Sequence, residues 1–285
     1  KALNVAPPPA QTPLDLKPEL ERVQVRYGEI VKGFEEHLYE EVCHGLDLEA
    51  PEARRIKYTI DFFGGRKQPY LQQPKKFYFP ELANIEFADP WGFDWVERLE
   101  SLTDEIRKEL LSVIESKQGF HPYLQGSDNR PETDGGGLKD NKDWSAYFIW
   151  EYGNKVEENA ARCPTIVKFF EDYFSSSEGK GGFPCVIFSK LSPNTKIPPH
   201  NGLFNTRYIC HLPLIIPDGC GFRVGNDVRK WEEGKVWIFD DSIEHEAWNN
   251  SDEDRYILLF EVWRPELTEL ERTMITQIQS KIEDY

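Results

Sequence analysis

Methionine is almost missing, with one residue in 285, so an interior has to be built from aliphatics and from the 18 Phe, 12 Tyr and 8 Trp. No apolar run approaches the roughly 18 residues that cross a bilayer. The first residues show no basic-then-apolar leader pattern. Positive charge is scarce: 34 Lys and Arg stand against 50 Asp and Glu, a net charge of −16. Such a surface repels nucleic acid and anionic membranes, and neither is expected as a partner. The acidic residues are dispersed, which reads as a solvated acidic surface. Five cysteines form no CxxC pair. Cys185 and Cys210 sit in apolar runs as small buried residues, and the expected location is a reducing cytoplasm. No internal repeat is visible.

What is present begins with a Pro-rich arm over residues 1–17. Leu20, Val23, Val25, Ile30, Phe34 and Leu38 then keep helical spacing to about Cys43, and Gly45 stops the helix. Residues 46–90 are mixed, with Lys75–Leu82 as a short strand or an ordered loop. Trp91–Lys117 reads as one long helix with Trp95, Leu99, Leu102, Ile106, Leu110 and Val113 packed into a core. A Gly-, Asp- and Pro-rich loop follows over 119–141, long enough to be functional. The spacing predicts strands over Trp144–Gly153, Cys185–Leu191, Arg207–Ile216, Cys220–Val224, Lys235–Phe239 and Arg255–Trp263. Helices are expected over Cys163–Tyr173 and Pro265–Ile282, and Ser175–Gly182 is a flexible connection. Short strands with turns between them point to an antiparallel sandwich or barrel.

Two histidines stand in turn-like segments of that strand-rich half: His200 in PPHNG and His245 in DDSIEHEAW. Rim positions of a barrel can converge on one mouth, and two neutral imidazoles suit Fe(II), Zn or Cu. Two protein ligands leave coordination positions open, which fits a catalytic site better than a structural one. Spacing alone does not separate this from two unrelated histidines. Arg255 opens the last strand and its start faces the barrel interior, where an Arg needs a carboxylate. A salt-bridged strand-end Arg is the plainer alternative. Ser189 and His211 lie on flanking strands, and His211, within ICHLPLII, also reads as a satisfied core residue.

These residues carry a resemblance. PPHNGLFNTR, CHLPLIIP, WEEGKVWIFDDSIEHEAWN and RYILLFEVWRPEL are similar to the aspartyl/asparaginyl β-hydroxylase family of Fe(II)- and 2-oxoglutarate-dependent oxygenases. The similarity extends over KDWSAYFIWEYG and ENAARCP, about residues 138–272. It implies a mainly β core, a double-stranded β-helix or cupin-like jelly roll, supported by packed helices. The organisation expected is an arm over 1–17, a helical region over 18–137 packing on the core, and an oxygenase core with a closing helix over 138–285.

The resemblance also assigns roles. His200 and His245 would bind Fe(II). Arg255, with Ser189, would hold the far carboxylate of 2-oxoglutarate, and His211 would lie near its chelating end. Arg207, Lys139 and Trp144 would be on the substrate side. Asp241 would orient His245 or a metal-bound water, or else it or Asp240 braces the turn. O2 is the oxidant, and a carbon is hydroxylated with release of succinate and CO2. The position two residues after His200, where most such oxygenases carry a ligating carboxylate, is Gly202. Halogenation is therefore a chemical alternative, and a non-catalytic cupin-like binding or sensor protein is another. Ile209 stands where the animal protein-modifying enzymes carry a further Arg. The substrate expected is an aspartyl, asparaginyl or related amino-acid group, free, peptide-linked or carrier-bound.

Overall fold

The computed structural model describes residues 13–47, 50, 53–117, 119–124, 138–151, 153–175 and 185–284. Most of the Pro-rich arm, residues 125–137 of the long loop and nearly all of the Ser175–Gly182 connection lie outside them. The chain forms two compact units, Lys1–Pro69 and Tyr70–Tyr285, whereas the sequence reading draws its boundary at 137–138. The first unit holds α1 (Lys17–Val42) and α2 (Arg54–Phe63). Pro18 opens α1 at a position where no backbone donor is needed. Val25, Ile30 and Phe34, expected on its buried face, are exposed. Buried polar groups join the two helices instead. The Tyr39 hydroxyl donates to Asp61, and Arg66 pairs with both Asp61 and Glu35.

The second unit runs β1 (Phe87–Ala88), α3 (Val96–Ser101), α4 (Thr103–Ser116), β2 (His121–Pro122), β3 (Trp144–Glu151), β4 (Asn154–Lys155), α5 (Glu157–Ala160), α6 (Pro164–Ser175), β5 (Val186–Leu191), β6 (Thr195–His200), β7 (Arg207–Ile215), β8 (Cys220–Val224), β9 (Asp227–Arg229), β10 (Trp237–Phe239), β11 (His245–Asn249), β12 (Arg255–Trp263) and α7 (Glu269–Asp284). A larger sheet has the order β1-β10-β7-β12-β5-β3-β2, with β4 on β3, and a smaller one β6-β11-β8-β9. From β5 onward the chain passes repeatedly from one sheet to the other, and every pairing between these strands is antiparallel. That winding is the double-stranded β-helix.

Side chains alternate across each strand of the larger sheet. Tyr208, Cys210, Leu212 and Leu214 of β7, and Tyr256, Leu258, Phe260 and Val262 of β12, face a helical layer of α3, α4 and α6. Leu99, Ile106, Leu110, Val113, Ile166 and Phe170 of that layer are buried, as their spacing predicts. The single helix expected over Trp91–Lys117 is instead a 3-10 turn at Pro90–Gly92 followed by α3 and α4. At the break, the Glu100 carboxylate accepts the Val236 N–H and the Lys235 ammonium, which ties the helices to the approach of β10. Of the apolar side expected for the closing helix, Ile275 in α7 and Leu267 just ahead of it are buried, while Leu270 and Met274 are exposed.

Residues 70–86 make an ordered strap across the end of the barrel. Gln73 N–H donates to the Ser242 carbonyl, Lys75 N–H to Gly202, and Phe77 N–H to Leu203. Asn205 and Phe79 exchange bonds in both directions. The strap thereby fastens both segments that carry the site.

Candidate active site

The largest correction to the sequence reading is where the histidines stand. Both segments read as turns contain strands: His200 ends β6 and His245 begins β11. Pro198 and Pro199 hid β6 because proline cannot donate to a ladder. An edge strand tolerates them, and β6 is the edge of its sheet. His245 and His200 are direct cross-strand partners, with a register shift just beyond the pair. Their ring centroids lie 4.1 Å apart.

Each ring is held by its own strand. Nδ1 of His200 lies 2.8 Å from the Pro198 carbonyl, and Nδ1 of His245 lies 3.0 Å from the Ile243 carbonyl. An Nδ1–H donated to a backbone oxygen leaves the Nε2 lone pair of each imidazole available for a metal. Burial lowers the pKa of His200, and burial with the neighbouring His200 brings His245 down to about 3. Both rings are neutral at physiological pH, the form a metal requires. The His245 shift has a stability consequence. Its folded pKa is below the ordinary 6.5, so its contribution is complete above pH 6.5 and is lost as pH falls towards 3. In metal-free protein, His245→Gln is expected to flatten the acid limb of the stability profile by about 1 kcal/mol per pH unit across that window. Urea unfolding at a series of pH values measures it.

The histidines open onto a cavity of 460 Å³ between the two sheets. The inward positions of β12 are Arg255, Ile257, Leu259 and Glu261, those of β7 are Arg207, Ile209 and His211, and β5 contributes Ser189; all line it. Arg255 is 1% exposed and sits over the Trp231 ring at 5.1 Å. It forms no carboxylate ion pair among the described residues, and burial lowers its guanidinium to about 10. His211 is buried among Phe222, Trp231 and Phe239, and its Nδ1 has no hydrogen-bond partner. Burial, with Arg255 beside it, holds its pKa well below the ordinary value.

Arg207 donates to Glu261 at 2.9 Å and lies over the Trp263 ring at 4.7 Å. Trp144 stacks on Tyr123 and meets His200 edge-on at 6.3 Å. Lys139 is not on the cavity wall; its backbone bridges Leu124 at the sheet margin. The two aspartates of the turn are placed differently. Asp240 is fully buried and bonds Ser242, Gln72 and Arg264, so it braces the turn. Asp241 lines the cavity against Gly202, where an added Cβ would come within 1.8 Å of its carboxyl oxygen. Burial, with Asp240 and Glu261 nearby, raises the Asp241 carboxyl well above the ordinary range.

Two charged wall residues escaped the sequence reading. Glu261 was within reach, because it shares the inward period-2 register of Arg255. Lys75 was not, because only the path of the strap brings it to the cavity. Among the described residues no cluster of three or more His, Cys, Asp or Glu could hold a metal. The arrangement therefore offers two imidazoles and a buried guanidinium that lacks an anion. Fe(II) and a dicarboxylate cosubstrate fit that donor set.

Residues 100–265 match the family described as aspartyl/asparaginyl beta-hydroxylase. The chain belongs to this family. Fe(II), 2-oxoglutarate and O2 are the family's metal, cosubstrate and oxidant. The Mus musculus protein named aspartyl/asparaginyl beta-hydroxylase is 35% identical over 199 residues, which are 67% of this chain and 25% of that protein. The ornithine lipid ester-linked acyl 2-hydroxylase of Rhizobium tropici is 32% identical over 190 residues, 66% of this chain and 63% of that protein. The chain thus spans less than two thirds of the length of either. An oxidoreductase of the 2OG-Fe(II) oxygenase family from Burkholderia pseudomallei superposes with a TM-score of 0.36 at 13% identity, covering 66% of this chain and 95% of that one. The described residues contain no helix long and apolar enough to cross a membrane.

Proposed function

We propose that this chain is a 2-oxoglutarate-dependent hydroxylase that converts a C–H bond of an amino-acid-derived substrate into C–OH. The observation that carries this reading is one cavity holding the His200–His245 pair and the buried Arg255 that no carboxylate offsets. His200 and His245 hold the metal through Nε2. Arg255 binds the distal carboxylate of 2-oxoglutarate, and Ser189 on the adjacent strand assists. Iron and 2-oxoglutarate together supply the activation of O2, so that one oxygen atom enters the C–H bond and the other leaves in succinate, with CO2 released. The apolar wall of Ile197, Ile209, Phe222, Ile257 and Leu259 keeps bulk water from the reacting centre. Asp241 faces the metal side from beside Gly202 and orients what binds there.

The family and the mouse relative favour an aspartyl or asparaginyl β-carbon, free, peptide-linked or carrier-bound. A second reading, hydroxylation of an acyl chain, is favoured by Leu124, Leu203, Phe204 and Ile209 on the wall, and by the pairing of Arg207 with Glu261. Against halogenation stands the Asp241 carboxyl, which lies against Gly202 on the side where a ligating side chain would otherwise begin. With Fe(II), 2-oxoglutarate and a panel of Asp/Asn peptides, amino acids and acyl lipids, O2 uptake is expected to match succinate release, with oxygen appearing in one substrate class. His200→Ala is expected to lose at least about a thousandfold in succinate formation, since oxygen chemistry has no other source in the protein. Wild-type protein that neither binds nor turns over 2-oxoglutarate would sink the enzyme reading and leave a binding protein.

A further inference from the structure

Three cationic side chains line the cavity, and their surroundings differ. Arg255 is buried at the start of β12. Arg207 is matched by Glu261 on the neighbouring strand. Lys75 comes from the strap, outside the residues that match the family, and is exposed. It makes no ion pair among the described residues. Its backbone is fixed: its N–H donates to the Gly202 carbonyl at 2.9 Å, two residues beyond His200. Neighbouring strap bonds to Ser242 and Leu203 hold the segment on both sides of that point. Lys75 thus stands at the solvent end of the cavity, on the histidine side.

The separation along the wall gives its position meaning. Arg255 and Glu261 are six residues apart on β12, about 20 Å at strand rise. A five-carbon dicarboxylate reaching from Arg255 covers only part of that length, and the remainder belongs to substrate. In that remainder Arg207 is offset by a carboxylate, and position 209 is an Ile. On a molecule of net charge −16, the Lys75 cation on the same cavity wall is a local reversal of the field.

We propose that Lys75 is a substrate-anchoring residue that selects a substrate carrying a carboxylate near the carbon to be oxidised. The proposal rests on the hydroxylase reading and adds the substrate's charge to it. A carboxylate can come from an amino-acid side chain or from a fatty-acyl head, and the test separates the two. Binding is read on the full chain by quenching of cavity tryptophans, with Zn(II) in place of Fe(II) and 2-oxoglutarate present. The probes are the α-amides N-acetyl-aspartamide with a free β-carboxylate against N-acetyl-asparagine amide, and dodecanoate against dodecanol. One carboxylate is expected to bind about three- to tenfold tighter than its neutral partner, as suits a partly exposed pair. Lys75→Met is expected to abolish that difference, and Lys75→Arg to keep it. The proposal is overturned if neither carboxylate is preferred, if Lys75→Met leaves the preference intact, or if the variant weakens 2-oxoglutarate as much as the probe. Failure of 2-oxoglutarate to bind wild type would instead overturn the hydroxylase reading, so the two failures are distinct.

Discussion

Arg255→Leu is expected to weaken 2-oxoglutarate binding by about a hundredfold or more while changing Fe(II) affinity by less than about threefold. Truncating one member of a buried, hydrogen-bonded charge pair costs roughly 2–5 kcal/mol, and each 1.4 kcal/mol or so is tenfold. Fe(II) affinity is spared because the imidazoles of His200 and His245 are oriented by Pro198 and Ile243 of their own strands, not by Arg255. The same variant carries a second, opposite expectation. Without cosubstrate, Arg255 is a buried cation with no carboxylate beside it among the described residues, and burial lowers its pKa from the ordinary guanidinium value to about 10. The unfolded chain therefore holds that proton more tightly than the fold does. The resulting penalty is complete below pH 10 and fades only as pH rises from there towards the ordinary guanidinium value. Arg255→Leu should accordingly raise the melting temperature of the cosubstrate-free protein and remove the increase that 2-oxoglutarate gives wild type. Titration calorimetry and thermal unfolding with and without 2-oxoglutarate check both halves. Undiminished 2-oxoglutarate affinity in the variant excludes the role assigned to Arg255.

Asp240→Ala is expected to destabilise the second unit by about 3–5 kcal/mol, the usual effect of leaving a buried charge without its partner. The Arg264–Asp240 pair lies 2.7 Å apart with both side chains fully buried. Arg264 also donates to the Ala83 carbonyl and to Glu266, and lies over the Tyr208 ring at 4.5 Å. Asp240 accepts from Gln72 of the strap and from Ser242. One pair thus joins the strap, the turn before His245 and the end of β12. At roughly 2–4 °C per kcal/mol for a unit of this size, the melting temperature should fall by about 10 °C. Metal affinity should fall with it, because Ser242 and Ile243 lose their brace. The double variant Asp240→Leu/Arg264→Met should recover much of the stability, since an apolar replacement leaves no buried charge. A single variant within about 1 kcal/mol of wild type would show that the pair is not what fixes this turn.

The strands of the larger sheet were legible because they are covered on both faces. Helices lie outside and the cavity wall inside, so β7 and β12 read as nearly unbroken apolar runs whose limits sequence and structure share almost to the residue. Strands β6 and β11 were not legible, although they carry the histidines. Their apolar content is low, prolines and acidic residues interrupt them, and β6 pairs only with β11, its histidine partner lying 45 positions away along the chain. Local pattern cannot register such a pairing. The face of α1 was read from spacing alone, and spacing does not say whether a partner surface exists; Val25, Ile30 and Phe34 are exposed.

The sequence by itself supplied the chemical kinds: two histidines, and an arginine opening an apolar strand; the family resemblance added that Gly202 stands where a carboxylate would otherwise ligate. Side-chain type and, for the arginine, strand period are local properties. Only the tertiary structure decided which charges remain to be answered. It set Glu261 against Arg207, brought Asp241 against Gly202, left Arg255 buried without a carboxylate, and carried Lys75 to the cavity from far upstream. The physical reason is that the effect of a charge depends on its distance from other charges and on its access to water, and neither is written along the chain.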